Sequence, residues 1–393
     1  MKSPSGCKLF GAHQALSGIH DAVVLLHSVV GCNFGSLSFH LPGDMAKIHQ
    51  TCTVISDDEV VFGGEQSLIR ALTHAEELFS PQVIFVVSGC VSDIVQDNIS
   101  AVATGYQGKA QVITVEAAGY RGNFSVGYED ALCALFPLME ECPKSETPSI
   151  NLIGLGADDP HLRWELSALK ELLGDKVQLQ SVLPCCSVAQ IKAAPAARFN
   201  LVLGRGEALA KVMLERFSIP YSVIDYPYGL TGAKALWKQL EQAFGLDFSA
   251  EQEAFRQVAA EGLRPAYGRL QALYGMPAAV IADRGRCRGL IRFLTRELGM
   301  EVVCRTEREI LDDLDNFYDQ VRASEAAVLF GSSFEAQLSD ELGIPLVRID
   351  YPVFDRVCIS DRPYVGTRGS ICLIEEMLNE IMVARRQKGA LYQ

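Results

Sequence analysis

Short apolar runs alternate with longer stretches of helical periodicity along the whole chain, the pattern of parallel strands joined by crossover helices. The first run, Ala22 to Val30, ends at Gly31 and Cys32. The second, Val83 to Ser88, is followed by Gly89, Cys90 and a helix-compatible stretch from Val91 to Val102. Further strands are expected at 150–154, 177–183, 200–204 and 222–225, separated by helix-period stretches at 161–174, 187–196, 206–216 and 231–244. Residues 250–274 read as one long connecting helix, and the last strands fall at 277–283, 300–304, 326–330 and 345–349. A polar, proline-containing segment at 140–148 closes the first unit. The expected fold class is α/β: three Rossmann-like domains with parallel sheets, at 1–145, 146–265 and 266–393, the last with a C-terminal helix.

An internal echo links the second and third of these. Ile219-Pro-Tyr-Ser-Val-Ile-Asp-Tyr-Pro227 and Ile344-Pro-Leu-Val-Arg-Ile-Asp-Tyr-Pro352 agree at six of nine positions. The repeat reads as a buried strand whose Asp-Tyr-Pro leaves the sheet at its carboxyl edge. Asp225 and Asp350 are expected to serve backbone geometry there.

Composition narrows the function classes. About half the residues are apolar (49%) and 21% are charged, a core-rich balance without a disordered signature. A net charge of −13 with no basic cluster speaks against a nucleic-acid surface. No apolar run approaches a membrane span and the N-terminus lacks a signal-like core, so a cytoplasmic protein is expected. Twelve cysteines in such a chain point to metal ligands or inert core thiols before disulfides.

Three of the twelve stand apart. Cys7, Cys32 and Cys90 each sit where the predicted backbone changes element, 25 and 58 residues apart, each with a glycine at hand. Cys7 precedes a turn at Gly11 that runs into a helix. A thiolate beyond a buried strand and near backbone N–H groups suits an iron-sulfur cluster, and glycine lets the backbone approach its inorganic core.

Other motifs carry less. Gly154-Leu-Gly156-Ala-Asp-Asp159 half-matches a dinucleotide loop, but it lacks the third glycine and its aspartates would repel a pyrophosphate. Tyr106 to Ala110 has neither the Ser/Thr nor the spacing of a P-loop. Six of the seven histidines precede residue 75 in no zinc spacing, and His27 reads as a satisfied core histidine with a hydrogen bond near the thiols as the alternative. Cys185 and Cys186 end a strand ahead of Ser187, a candidate helix cap.

Cys7 with Gly11 and Gly18-Ile19, His27 with Gly31-Cys32, Asp58 to Glu65, Gly89-Cys90, Gly122, Gly127-Tyr128, Gly343-Ile344-Pro345 and Pro352 to Arg356 together resemble the component 1 subunits of nitrogenase and the nitrogenase-like reductases. The resemblance runs the whole length and is strongest to the β-type subunit. It implies that Cys7, Cys32 and Cys90 hold half of a P-cluster-type (8Fe-7S) iron-sulfur cluster at an interface with a homologous α-type subunit in an α2β2 heterotetramer. It further implies electrons from a separate ATP-dependent iron protein, and a chain that relays electrons without catalytic residues of its own. Gly204 stands where α-type chains carry the Cys that anchors the active-site cluster. Asn123 stands where some β-type chains carry a Ser that approaches the oxidised cluster, which puts that extra ligation in doubt. Nitrogenase β chains usually have a longer N-terminal extension and the assembly scaffolds generally lack the first Cys. Among these enzymes the chain is therefore most similar to the methylthio-alkane reductases, which cleave C–S bonds reductively. A nitrogenase β subunit and a cofactor-assembly scaffold stay open as alternatives.

Overall fold

Three four-stranded sheets carry the fold of this computed structural model, which describes residues 6–40, 49–159, 161–310 and 314–387. The first is built from β1 (Ala22–His27), β2 (Gln50–Cys52), β3 (Val83–Ser88) and β4 (Gln111–Glu116), in the order β2-β1-β3-β4. The second holds β5 (Ser149–Ile153), β6 (Gln178–Leu183), β7 (Phe199–Leu203) and β8 (Tyr221–Ile224), in the order β6-β5-β7-β8. The third holds β9 (Pro277–Ala282), β10 (Glu301–Glu307), β11 (Val328–Gly331) and β12 (Leu346–Arg348), in the order β10-β9-β11-β12. The same winding thus occurs three times, with parallel pairing in each sheet. In each, the strand order reverses beside the first strand, the place where open α/β sheets present their sites. By compactness the chain gathers into two units, one of Ser5–Asp158 with Leu179–Tyr221, the other of Asp159–Gln178 with Ser222–Gln393.

The first sheet positions the three cysteines, and its sequence explains its burial. Along β1 and β3 the side chains alternate between two apolar layers, as the two-residue period of a strand requires. Val24, Leu26, Phe85 and Val87 pack on one side with Leu9, Leu16 and Tyr128. Val23, Leu25, Ile84 and Val86 pack on the other with Leu68, Leu72 and Ala75. Both strands are buried throughout, which is why they read as continuous apolar runs.

Helices of this unit are α1 (Lys8–Leu16), α2 (Val30–His40), α3 (Asp57–Phe62), α4 (Glu65–Phe79), α5 (Cys90–Ile94), α6 (Ile99–Gly105) and α7 (Phe124–Cys133). Several depart from expectation. Strand β1 stops at His27 and α2 begins at Val30, so Cys32 lies in the first turn of a helix and not at a strand end. Apolar residues at a strand end and in a first helical turn look alike in sequence. Gly11 is not a turn but lies inside α1, where an added Cβ would stand 2.7 Å from the carbonyl carbon of Phe124 and 3.0 Å from the Tyr128 nitrogen. Gly127 of α7 mirrors it, 2.7 Å and 3.0 Å from the backbone of Lys8 and Ala12. The two glycines let α1 and α7 cross backbone to backbone. The helix expected from Val91 to Val102 is interrupted: Gln96 has φ +61° and Asn98 caps α6 by accepting the Ala101 N–H at 3.1 Å. The long helix expected at 250–274 ends at Leu263, ahead of Pro265 in a short 3₁₀ turn.

In the other unit, buried charges are satisfied by one another. Arg286 pairs with Asp159, and with Asp283 at 3.1 Å, while lying over the Tyr226 ring. Arg308 pairs with Glu335 at 3.0 Å and Asp350 at 2.9 Å. Asp225 pairs with Arg292 at 2.9 Å. Both aspartates of the repeat are therefore ion-pair anchors at the ends of their strands. Glu165 accepts the Tyr364 and Val365 amides at 2.9 and 3.1 Å, and burial, with Asp159 nearby, pushes its pKa up to about 8. Among the described residues, no helix is long and apolar enough to cross a membrane.

Candidate functional site

The carboxyl edge of the first sheet gathers the chemistry. Cys32 follows β1 and Cys90 follows β3, and these strands are neighbours in register from Ala22 opposite Val83 to His27 opposite Ser88. The order of the sheet reverses between them. Cys7 is the N-cap residue of α1 and is held by an isolated antiparallel bridge to Asn123, the N-cap of α7. All three thiols are partly exposed.

Their closeness shows at Gly119, on the turn after β4. A Cβ on Gly119 would stand 2.9 Å from the Cys7 Cβ, 3.2 Å from its sulfur and 3.4 Å from the Cys90 sulfur. The Gly119 N–H donates to the Cys90 sulfur at 3.1 Å. A glycine is needed here because any side chain would fill the space between two thiols. Burial pushes the Cys7 thiol up, the Phe10 and Leu9 amides pull it down, and the neighbouring Cys90 and Cys32 thiols add to the rise.

The other two glycines beside the cysteines serve different ends. At Gly89 a Cβ would strike Ser28, 2.6 Å from its Cβ, so this glycine lets β3 leave the sheet against β1. At Gly31 an added Cβ meets nothing within 4 Å. The glycine that stands against both the Cys7 and the Cys90 sulfur is Gly119, which sequence reasoning missed. The signal available was the small run Ala117-Ala118-Gly119 directly after an apolar strand.

His27 is the satisfied core histidine expected. Its Nε2 meets Asp97 Oδ2 at 2.9 Å, its Nδ1 meets Thr53 Oγ1 at 3.1 Å, and burial holds its pKa below the usual value. Asp97 also accepts the Gly64 N–H at 2.7 Å, which fixes the Gly63-Gly64 turn to the sheet. Asn123 spends its side-chain oxygen on the Val126 N–H at 3.1 Å as the cap of α7. Gly204 adopts φ +74°, a conformation that favours glycine and would strain a cysteine. In the half-matched dinucleotide loop, Asp158 accepts from Gln14 Nε2 at both carboxylate oxygens, 2.7 and 2.8 Å, and Asp159 pairs with Arg286. Ser187 caps a helix as expected, and Cys185 and Cys186 are buried, the latter with its thiol pushed up to about 12 by burial.

Large apolar side chains are exposed on the segments that carry the thiols: Val30 and Phe34 on α2 with Cys32, Ile94 on α5 with Cys90, and Tyr120 beside Gly119; Val61 and Phe62 on α3 are exposed as well, Phe34 and Phe62 by 73% and 85%. Among the described residues, no three His, Cys, Asp or Glu side chains could hold a single metal ion. Cys7, Cys32 and Cys90 are soft sulfur donors, the ligand type that iron-sulfur clusters take.

Comparison with known proteins identifies the family. The model for nitrogenase component 1 type oxidoreductases matches residues 7–382, beginning at Cys7 itself. The nitrogenase molybdenum-iron protein beta chain of Methanococcus maripaludis is 24% identical, over 96% of this chain and 93% of its own. A light-independent protochlorophyllide reductase chain of Pyropia yezoensis is also 24% identical, over 91% of this chain and 80% of its own. A solved structure, nitrogenase Cp1 at pH 6.5, superposes with a TM-score of 0.84 at 18% identity, covering 99% of this chain and 94% of that one. The threefold winding of the sheets, the thiols at the first carboxyl edge and a family match over nearly the whole chain lead to one conclusion: this protein belongs to the nitrogenase component 1 type oxidoreductases.

Proposed function

We propose that this chain is the β-type subunit of a nitrogenase-like iron-sulfur reductase, in which Cys7, Cys32 and Cys90 supply thiolates to one half of a P-cluster-type cluster. The observation that carries the reading is the Gly119 cradle, where an omitted side chain leaves room between the Cys7 and Cys90 sulfurs. When bound, the cluster supplies reversible electron storage and relay. The chain's own residues do the rest. Cys7 is fixed by the α1 and α7 crossing, Cys32 and Cys90 by adjacent strands, and the Gly119 N–H orients the Cys90 sulfur. The apolar residues around them exclude water once a homologous α-type subunit, in an α2β2 assembly, covers the edge. An ATP-dependent iron protein delivers the electrons, since this chain has no P-loop of its own. Gly204, with its positive φ, leaves no anchoring cysteine for an active-site cluster here, so reduction takes place in the partner.

For the substrate we propose methylthio-alkanes, reduced at the C–S bond. That choice rests on the resemblance of the sequence to the methylthio-alkane reductases. The test is anaerobic co-purification with the partner chain, iron analysis, and assay of dimethyl sulfide for methane release with and without the iron protein and ATP. Cys7→Ala, Cys32→Ala and Cys90→Ala should each lower bound iron and abolish reduction. Full iron content in all three variants refutes the ligand assignment, and absence of hydrocarbon product refutes the substrate alone.

A further inference from the structure

Beside the cradle is a second arrangement. Asp93 lies on α5, three residues after Cys90, and Tyr120 and Arg121 directly follow Gly119 in the turn after β4. One carboxylate oxygen, Asp93 Oδ2, accepts from the Tyr120 hydroxyl and from Arg121 Nε, the latter at 2.8 Å. The turn is closed locally by the Arg121 N–H donating to the Ala118 carbonyl at 2.9 Å. Its shape is thus set by its own backbone, whereas its position against α5 is set by Asp93. The two polypeptide segments joined by Asp93 are the same two joined by the Gly119 N–H and the Cys90 sulfur.

We propose that Asp93, Tyr120 and Arg121 form a latch that holds the Gly119 N–H on the Cys90 sulfur and so sets the reduction potential of the cluster that Cys90 ligates. This rests on the cluster-binding reading above. Two physical arguments support it. An N–H donated to a ligating thiolate draws charge from the sulfur and favours the reduced cluster, so hydrogen bonds to sulfur are among the main determinants of potential. The pair itself contributes little to folding, because Arg121 is half exposed (50%), although Asp93 is mostly covered (13%), and water screens an ion pair with one exposed member. Its loss should therefore move the cluster before it moves stability. These are positioning residues, acting through Gly119.

The variant Asp93→Ala/Arg121→Ala removes the latch while leaving the summed charge of the pair at zero, so the direct field on the cluster is unchanged to first order. In the complex with its partner chain, potentiometric titration followed by electron paramagnetic resonance should show wild-type iron content and a more negative midpoint potential. Tyr120→Phe, which removes one hydroxyl and keeps the ion pair, should shift it less and in the same direction, and Arg121→Lys should restore it toward wild type. Full iron content with no shift in the double variant or in Tyr120→Phe overturns the latch and leaves the cluster assignment standing. Retention of the cluster in Cys90→Ala overturns both.

Discussion

Replacing Gly11 with alanine tests the packing on which Cys7 depends. On helix propensity alone the change should stabilise α1 by about 0.5–1 kcal/mol. The structure predicts the opposite sign. The new Cβ would overlap the Phe124 carbonyl oxygen and stand 2.7 Å from its carbon, where unstrained carbon contacts are about 3.5–4.0 Å, so α1 and α7 must part by more than about 1 Å. The obstacle is backbone on a buried helix and cannot rotate away. Overpacking of this kind costs about 1–3 kcal/mol, which outweighs the propensity gain and leaves a net loss on the order of 1–2 kcal/mol. Because Cys7 caps α1, bound iron should fall as well. Both tryptophans, Trp164 and Trp237, lie in the other compact unit, so fluorescence would miss the effect. Hydrogen exchange at α1 and α7 amides, with urea unfolding followed by circular dichroism, reads it directly. Gly105→Ala, where an added Cβ meets nothing within 4 Å, is the control and should be neutral or stabilising. If Gly11→Ala keeps wild-type protection, urea midpoint and iron content, the crossing does not hold the site.

Two further predictions concern buried charge. Glu165 titrates near 8 in the folded chain against a reference value of 4.5, so its contribution is fully present below about 4.5 and is lost as pH rises through 8; Glu165→Gln should gain on wild type steadily between pH 5 and 8, and a pH-independent difference in urea midpoint would contradict this. Arg308→Met leaves Glu335 and Asp350 buried without their shared cation and should cost about 3–5 kcal/mol in denaturant unfolding, whereas a loss under about 1 kcal/mol would show that the carboxylates find other partners.

What could be read from the sequence follows physical range. Strands such as Val83 to Ser88 are legible because both faces are buried and the run is unbroken, and three cysteines stand out because thiols at element boundaries are unusual. Cys32 was placed on the wrong kind of element, since the residues from Ser28 to Gly31 carry no period that tells a strand end from a first helical turn. Gly11 and Gly119 show the deeper limit. Their constraint is imposed by backbone or sulfur distant in the chain, and a glycine's sequence neighbours do not reveal what its missing side chain would strike. The latch was invisible for the same reason, as Asp93 and Arg121 each look like an ordinary surface charge until the fold joins them. The expected helix after Val91 breaks at Gln96, where φ is +61°, and Asp97 beside it gives its carboxylate to His27.

The placement of Cys32 and Cys90 beyond adjacent strands has a consequence for how such chains can change. The strands that lead to those thiols are held at the interstrand pitch of a sheet, about 4.8 Å, whatever the number of residues that separate them. Segments can therefore lengthen or shorten between β1 and β3 without resizing the opening at the sheet edge. The spacing of the two sheet-edge positions is stored in the hydrogen-bond ladder from Ala22 opposite Val83 to His27 opposite Ser88, not in the 58 residues between the cysteines.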